Sequence, residues 1–137
     1  MRPRPPLAFA SLALLAATLS PPAPSEGAGP QGRLRPPTFV TCDRNRLTSY
    51  TGRVVSLERG RDRTTLRIET DEDTRESLTL RHPGGDVLPS FRIGGEPFVE
   101  ADWAQILARG RLRPGARATA WVCADEANPK IDWERPR

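Results

Sequence analysis

The sequence predicts a small, mainly β domain with one helix, in the order β-β-β-α-β-β, closed into a five-stranded barrel and tied by one disulfide. Three observations predict it. Residues 51–83 divide into three short stretches of alternating character separated by polar turns. One later stretch, residues 100–109, carries helical spacing instead. Cys42 and Cys123 are the only cysteines, in a chain whose first residues read as an export signal.

That signal comes first along the chain. Residues 1–20 read MRPRPPLAFASLALLAATLS, with Arg2 and Arg4 as the positive end. The apolar run of about 13 residues from Leu7 to Leu19 is short for a bilayer core of ~30 Å. Residues 1–25 are therefore expected to be a signal peptide, with cleavage before Glu26; an uncleaved anchor is the alternative. The destination is periplasmic or secreted. No cysteine follows the apolar run, so a lipid anchor is not indicated. Residues 26–38 are rich in proline and glycine, lack apolar periodicity and read as a disordered linker. Residues 39–137 form the domain. Two of the 21 basic residues lie in the leader, leaving 19 against 17 acidic residues. So small an excess does not argue for nucleic acid.

In an exported chain an isolated cysteine pair forms a disulfide. Bonding Cys42 to Cys123 closes a loop of about 80 residues and contributes about 4 kcal/mol by restricting the unfolded chain. It pins the arm before the first strand to a strand late in the chain. Two distant sulfurs and a single histidine do not supply four metal ligands, so no metal site is expected.

The first strand is expected at residues 51–59 (TGRVVSLER), with Val55 and Leu57 facing the core. A turn at residues 60–63 leads to the second strand, 64–70 (TTLRIET), and a polar loop at 71–75 (DEDTR) to the third, 76–83 (ESLTLRHP). Pairing Ile68 with Leu78 and Leu66 with Leu80 gathers four apolar side chains on one face. The other face carries Thr65, Arg67 and Glu69 against Arg81, Thr79 and Ser77, a composition suited to a solvated sheet. Asp71-Glu72-Asp73 reads as a solvated turn, because the ligand spacing of a calcium-binding loop is absent.

Residues 82–99 are a long connection broken by prolines and glycines, with a short strand at 91–93 at most. In residues 100–109 (EADWAQILAR), Trp103, Ile106 and Leu107 fall at i, i+3 and i+4, and Gly110 follows as a stop. Residues 117–124 (RATAWVCA) and 130–134 (KIDWE) complete the strands, with Ile131 and Trp133 facing inward.

This element order is that of the OB-fold, a five-stranded barrel with a helix between strands three and four. Through TGRVVSLER, TTLRIET and GRLRPGARATAWV the chain resembles small exported bacterial OB-fold domains over residues 48–134. The long connection at 82–99 departs from that pattern, and an SH3-like barrel or a β-sandwich fragment fits the same elements. The resemblance implies a ligand surface on strands two and three. Arg67, Thr79, Arg81 and His82 are the candidate ligand-binding residues there, and the connection at 87–98 is a second candidate surface. No hydrolase elbow, phosphate loop or cofactor motif appears, and the carboxylates are scattered on turns. A non-catalytic binding or accessory domain is expected, with an envelope protein or a small ligand as partner and no cofactor. The alternative is single-stranded nucleic-acid or oligosaccharide binding on the same face. Against it, strands two and three contain no aromatic residue on which bases or sugars stack.

Overall fold

The computed structural model describes residues 35–137, and the chain from Pro36 to Arg137 forms one unit. The expected leader, and the linker as far as residue 34, lie outside the described residues.

Strand β1 (Leu47–Arg59) is the spine of the domain. It begins four residues earlier than the sequence predicts, so it can pair on both sides. Residues 47–53 pair with β8 (Arg117–Cys123), and residues 52–59 pair with β2 (Arg63–Thr70), both antiparallel. At Gly52 the strand is flanked by Thr70 on one side and Ala118 on the other. A Cβ there would sit on the Glu69 carbonyl oxygen and 2.6 Å from the Thr70 Cα. The close approach of β1 and β2 therefore requires glycine.

Beyond Gly52 the ladder slips. Val54 opposes Ile68, Ser56 opposes Arg67, and Val55 is the extra residue of a β-bulge. The bulge reverses which residues face inward. Val54 is buried at 3% exposure, Val55 is 39% exposed and Leu57 is half-buried. The expectation that Val55 faces the core is thus corrected, because strict alternation does not survive an inserted residue.

β2 pairs antiparallel with β3 (Arg75–Arg81). The register differs by two residues from the expected one. Leu66 opposes Leu78, Ile68 opposes Glu76, and Thr64 opposes Leu80. A shift of two keeps every side chain on its own face, so Leu66, Ile68 and Leu80 are still fully buried. The tighter hairpin sets the register. Thr70 N–H donates to the Thr74 carbonyl at 2.9 Å, and the Thr70 and Thr74 hydroxyls lie 2.8 Å apart, so the turn closes at Thr70 rather than beyond it.

The 82–99 connection contributes β4 (Phe91–Ile93) and β5 (Glu96–Pro97), and the last strand is β9 (Lys130–Trp133). One mixed sheet results, in the order β3-β2-β1-β8-β9-β4-β5. The expected closed barrel of five strands is not formed, and the sheet is open. The edge of β9 that closure requires is occupied by β4, which runs parallel to it from Phe91/Ile131 to Ile93/Trp133. β3 reaches the turn before β9 through a side chain: Arg81 N–H donates to Asn128 Oδ1 at 2.8 Å, and Asn128 Nδ2 donates to the Arg81 carbonyl at 2.7 Å.

The helix is also shorter than expected. A 3₁₀ turn (Glu100–Asp102) leads into α1 (Trp103–Ile106), and the chain then forms a separate hairpin of β6 (Leu107–Ala108) and β7 (Arg111–Leu112). Arg109 and Gly110 both have positive φ, 54° and 72°, the requirement of a type I′ hairpin turn. Gly110 therefore turns a hairpin instead of ending a helix. The Arg113 guanidinium donates to the Ala104 carbonyl at 3.0 and 3.1 Å and satisfies one of the helix's terminal acceptors.

The core lies under the inner face of the sheet. Phe91 is its centre, with ring centroids 5.5 Å from Phe98, 5.6 Å from Trp103 and 5.7 Å from Trp133, all edge-on. Ile131 and Trp133 are fully buried, as their spacing predicts. Cys42 and Cys123 form the expected disulfide across a sequence separation of 81. The arm it holds is placed a second time by Phe39, whose ring lies 5.2 Å from the Arg92 guanidinium carbon.

Candidate functional site

The outer face of β2 and β3 is built by alternation from the register just described. Arg63 opposes Arg81, Thr65 opposes Thr79, Arg67 opposes Ser77 and Glu69 opposes Arg75. Arg67, Thr79 and Arg81, three of the four residues that the sequence singles out, lie exposed on this face. The fourth does not join them. His82 follows Arg81 and so turns to the inner side, where its Nε2 lies 2.9 Å from the hydroxyl of buried Thr64. Its Nδ1 is buried without a hydrogen-bond partner among the described residues.

Arg63 is the residue that sequence reasoning assigned to a turn. The expected register set Thr65 against Arg81, and only the two-residue shift brings Arg63 opposite Arg81. Arg81 N–H points away from β2, toward Asn128, so the two arginines form a non-hydrogen-bonded pair, the arrangement with the closer side chains. Like charges directly opposite are destabilising. Among the described residues no carboxylate lies within ion-pair distance of Arg63, Arg67 or Arg81. Replacing Arg81 by glutamine is expected to raise stability by about 0.5 kcal/mol. The urea midpoint measures it, and a fall would show that the two charges do not repel.

The hairpin end of the same face behaves differently. Arg53 donates to Glu69 at 2.6 Å, Arg75 stands 3.3 Å from the same carboxylate, and Arg117 donates to Asp71 at 2.6 Å. Arg53, Glu69, Asp71 and Arg75, with Thr70, Asp73 and Thr74, line an open hollow of 310 Å³. Its arginines and carboxylates neutralise one another, so it offers little charge to a ligand. The hydrogen bond from Arg53, with the charges of Arg53 and Arg75, holds the Glu69 carboxyl below its usual range, and Arg117 does the same for Asp71. Both folded-state values are depressed. Their stabilisation is therefore complete above the unfolded values of 4.5 and 3.8 and is lost as pH falls through the folded ones. The urea midpoint is expected to drop slightly below about pH 4, and less so in Arg117→Gln. An equal drop in both proteins would discount the Asp71 pair.

The second candidate surface, residues 87–98, is largely spent on packing, since Val87, Phe91, Ile93 and Phe98 are core residues. The tryptophans are equally committed: Trp133 is fully buried, Trp121 is 6% exposed, and Trp103 is 6% exposed with the Arg59 guanidinium 3.7 Å from its ring centroid. Among the described residues no group of three or more His, Cys, Asp or Glu side chains converges as a metal site would need. None of the described helices is long and apolar enough to cross a membrane. The disulfide points to an oxidising, extracytoplasmic compartment. The described residues thus form a small mainly β domain with one short helix and one disulfide, and no known protein family, curated protein or solved structure matches the chain.

Proposed function

We propose that the chain is a non-catalytic binding module of the periplasm or of secreted material, whose β2–β3 outer face engages an acidic segment of an envelope protein. The observation that carries this reading is the set of exposed arginines, Arg63, Arg67 and Arg81, with no neutralising carboxylate among the described residues. Two of them directly face each other, an arrangement that an incoming anion relieves.

An OB-like reading of the strand order favours this face. In a β-β-β-α-β-β barrel that alternates strand direction, the third and fifth strands run the same way, so the pair that closes it is parallel. β4 holds that place here, parallel to β9, as though the third strand resumed after the interruption at residues 82–90.

The test is capture from envelope extract by the oxidised, tagged full chain, compared with Arg63→Gln/Arg67→Gln/Arg81→Gln. Retention of one protein by the parent and its loss in the triple variant is expected. Equal retention by both removes this face from the reading. Retention of nucleic acid alone, abolished by nuclease and by high salt, replaces it with the single-stranded nucleic-acid alternative.

A further inference from the structure

We infer that the free edge of β3 is a strand-addition site: an extended acidic protein segment docks along residues 75–79 by main-chain hydrogen bonds, with its carboxylates turned to the arginine face, toward Arg81 on β3 and Arg63 and Arg67 one strand further in. This rests on the binding reading above and specifies how the partner is held.

Among the described residues the edge is open, and β3 has β2 as its one strand neighbour. Because Arg81 N–H points away from β2 and His82 N–H points back to the Asp62 carbonyl, the main-chain direction alternates along the strand. Arg75, Ser77 and Thr79 therefore turn their N–H and C=O groups outward, where no main-chain partner meets them among the described residues. A row of unpaired main-chain groups is a template for another strand.

The next residue in that row shows what the edge accepts. Arg81 takes one amide, that of Asn128, which fills both its N–H and its C=O at 2.8 and 2.7 Å. A side-chain amide there does what a peptide group of an added strand does. It also marks one end of the vacant stretch.

The charge selects the occupant. On the exposed face Arg81 stands on the edge strand itself and Arg63 and Arg67 stand one strand further in, on β2, while Glu69 is already paired with Arg53 and Arg75. An added strand places alternate side chains on this face, so carboxylates at every second position reach the arginines. A second copy of the chain fits poorly, because antiparallel pairing of two vacant stretches, centred on Ser77, sets Arg75 opposite Thr79 and lays two arginine-bearing faces side by side, bringing no free carboxylate to Arg63, Arg67 or Arg81. Residues 1–34 fit poorly too, since Glu26 is their sole carboxylate.

The probe is a short peptide alternating glutamate and threonine, with capped ends, beside an analogue N-methylated at alternate amides, which keeps the charge and removes the hydrogen-bond donors. Binding to the oxidised full chain is read by amide hydrogen exchange. The unmodified peptide is expected to slow exchange at Arg75, Ser77 and Thr79 by about tenfold or more, and the methylated analogue to bind at least about tenfold more weakly. Ser77→Pro is expected to lose the peptide equally while remaining folded, since proline is tolerated where an edge N–H faces outward. Equal affinity of the two peptides, or binding without protection of those three amides, overturns strand addition and leaves the arginine face standing. Failure of both peptides to bind overturns it as well, and the arginine reading is then judged by the triple-variant capture alone. Protection of the edge that grows with protein concentration, without peptide, assigns it to a second copy and also overturns the proposal.

Discussion

Gly52→Ala is expected to lower the stability of the domain by about 3 kcal/mol or more, seen as a lower urea midpoint at unchanged slope. The added methyl has nowhere to go. It meets the Glu69 carbonyl and the Thr70 Cα, which are main-chain atoms and cannot rotate aside. β1 cannot retreat either, because at Gly52 it is also paired with Ala118 of β8. A shift away from β2 presses β1 into β8 and disturbs the central ladder of the sheet. Gly85→Ala is the control, since its nearest contact beyond its chain neighbours is the His82 carbonyl at 3.8 Å. It is expected to change stability by less than about 0.5 kcal/mol. If Gly52→Ala costs as little as the control, the ladder is more yielding than this geometry implies.

The double variant Cys42→Ser/Cys123→Ser is expected to lose about 4 kcal/mol. For a small domain that is a large part of a total of roughly 5–15 kcal/mol. The loss arises mainly in the unfolded state, where a bond across a separation of 81 residues removes chain entropy. The folded state should change little beyond the arm before β1. Leu47 already opposes Cys123 in the β1–β8 ladder, so the two strands keep their register without the bond. Two measurements separate these effects. The dependence of unfolding on urea should steepen, because the uncrosslinked chain exposes more surface, and amide protection of β1 and β8 should persist in the variant under native conditions. A loss below about 1 kcal/mol with an unchanged slope would place the effect elsewhere, in native-state strain or in a compact denatured state.

Both effects were open to sequence reasoning in different degrees. The cysteines are a pair in a chain whose first residues read as an export signal, and no geometry is needed to connect them. Gly52 is one glycine near the start of a strand, and nothing in the sequence distinguishes it from a turn residue. Its role exists because two other strands approach it from opposite sides.

The same division runs through the candidate surface. Arg67, Thr79 and Arg81 were legible as outward residues, because the parity of a strand follows from its apolar partners. His82 was named with them although alternation puts it on the face of Leu78 and Leu80, and there it meets Thr64. Arg63 was missed, because the hairpin closes at Thr70 and Thr74 and moves the register by two. Such a shift leaves the hydrophobic pattern unchanged, so hydrophobicity alone cannot choose between the registers. Val55 was assigned to the core by strict alternation, which the bulge interrupts.

The sequence by itself determined the disulfide, the strands at β2, β3, β8 and β9, and the inward faces of Leu66, Ile68, Leu80, Ile131 and Trp133. These are local patterns of period two, or a pairing with no competitor. The tertiary structure alone decided the bulge, the one-turn helix with its hairpin, the open sheet, and the meeting of Arg63 with Arg81. The bulge and the open sheet depend on pairing between strands, and the helix with its hairpin and the Arg63–Arg81 meeting on turn geometry that the hydrophobic pattern does not encode. β4 takes the edge of β9, Asn128 occupies the end of β3, and β1 divides its pairing between β2 and β8. Local propensity carries no information about which of several compatible partners takes an edge, and that choice left the outer edge of β3 at Arg75, Ser77 and Thr79 without a main-chain partner among the described residues.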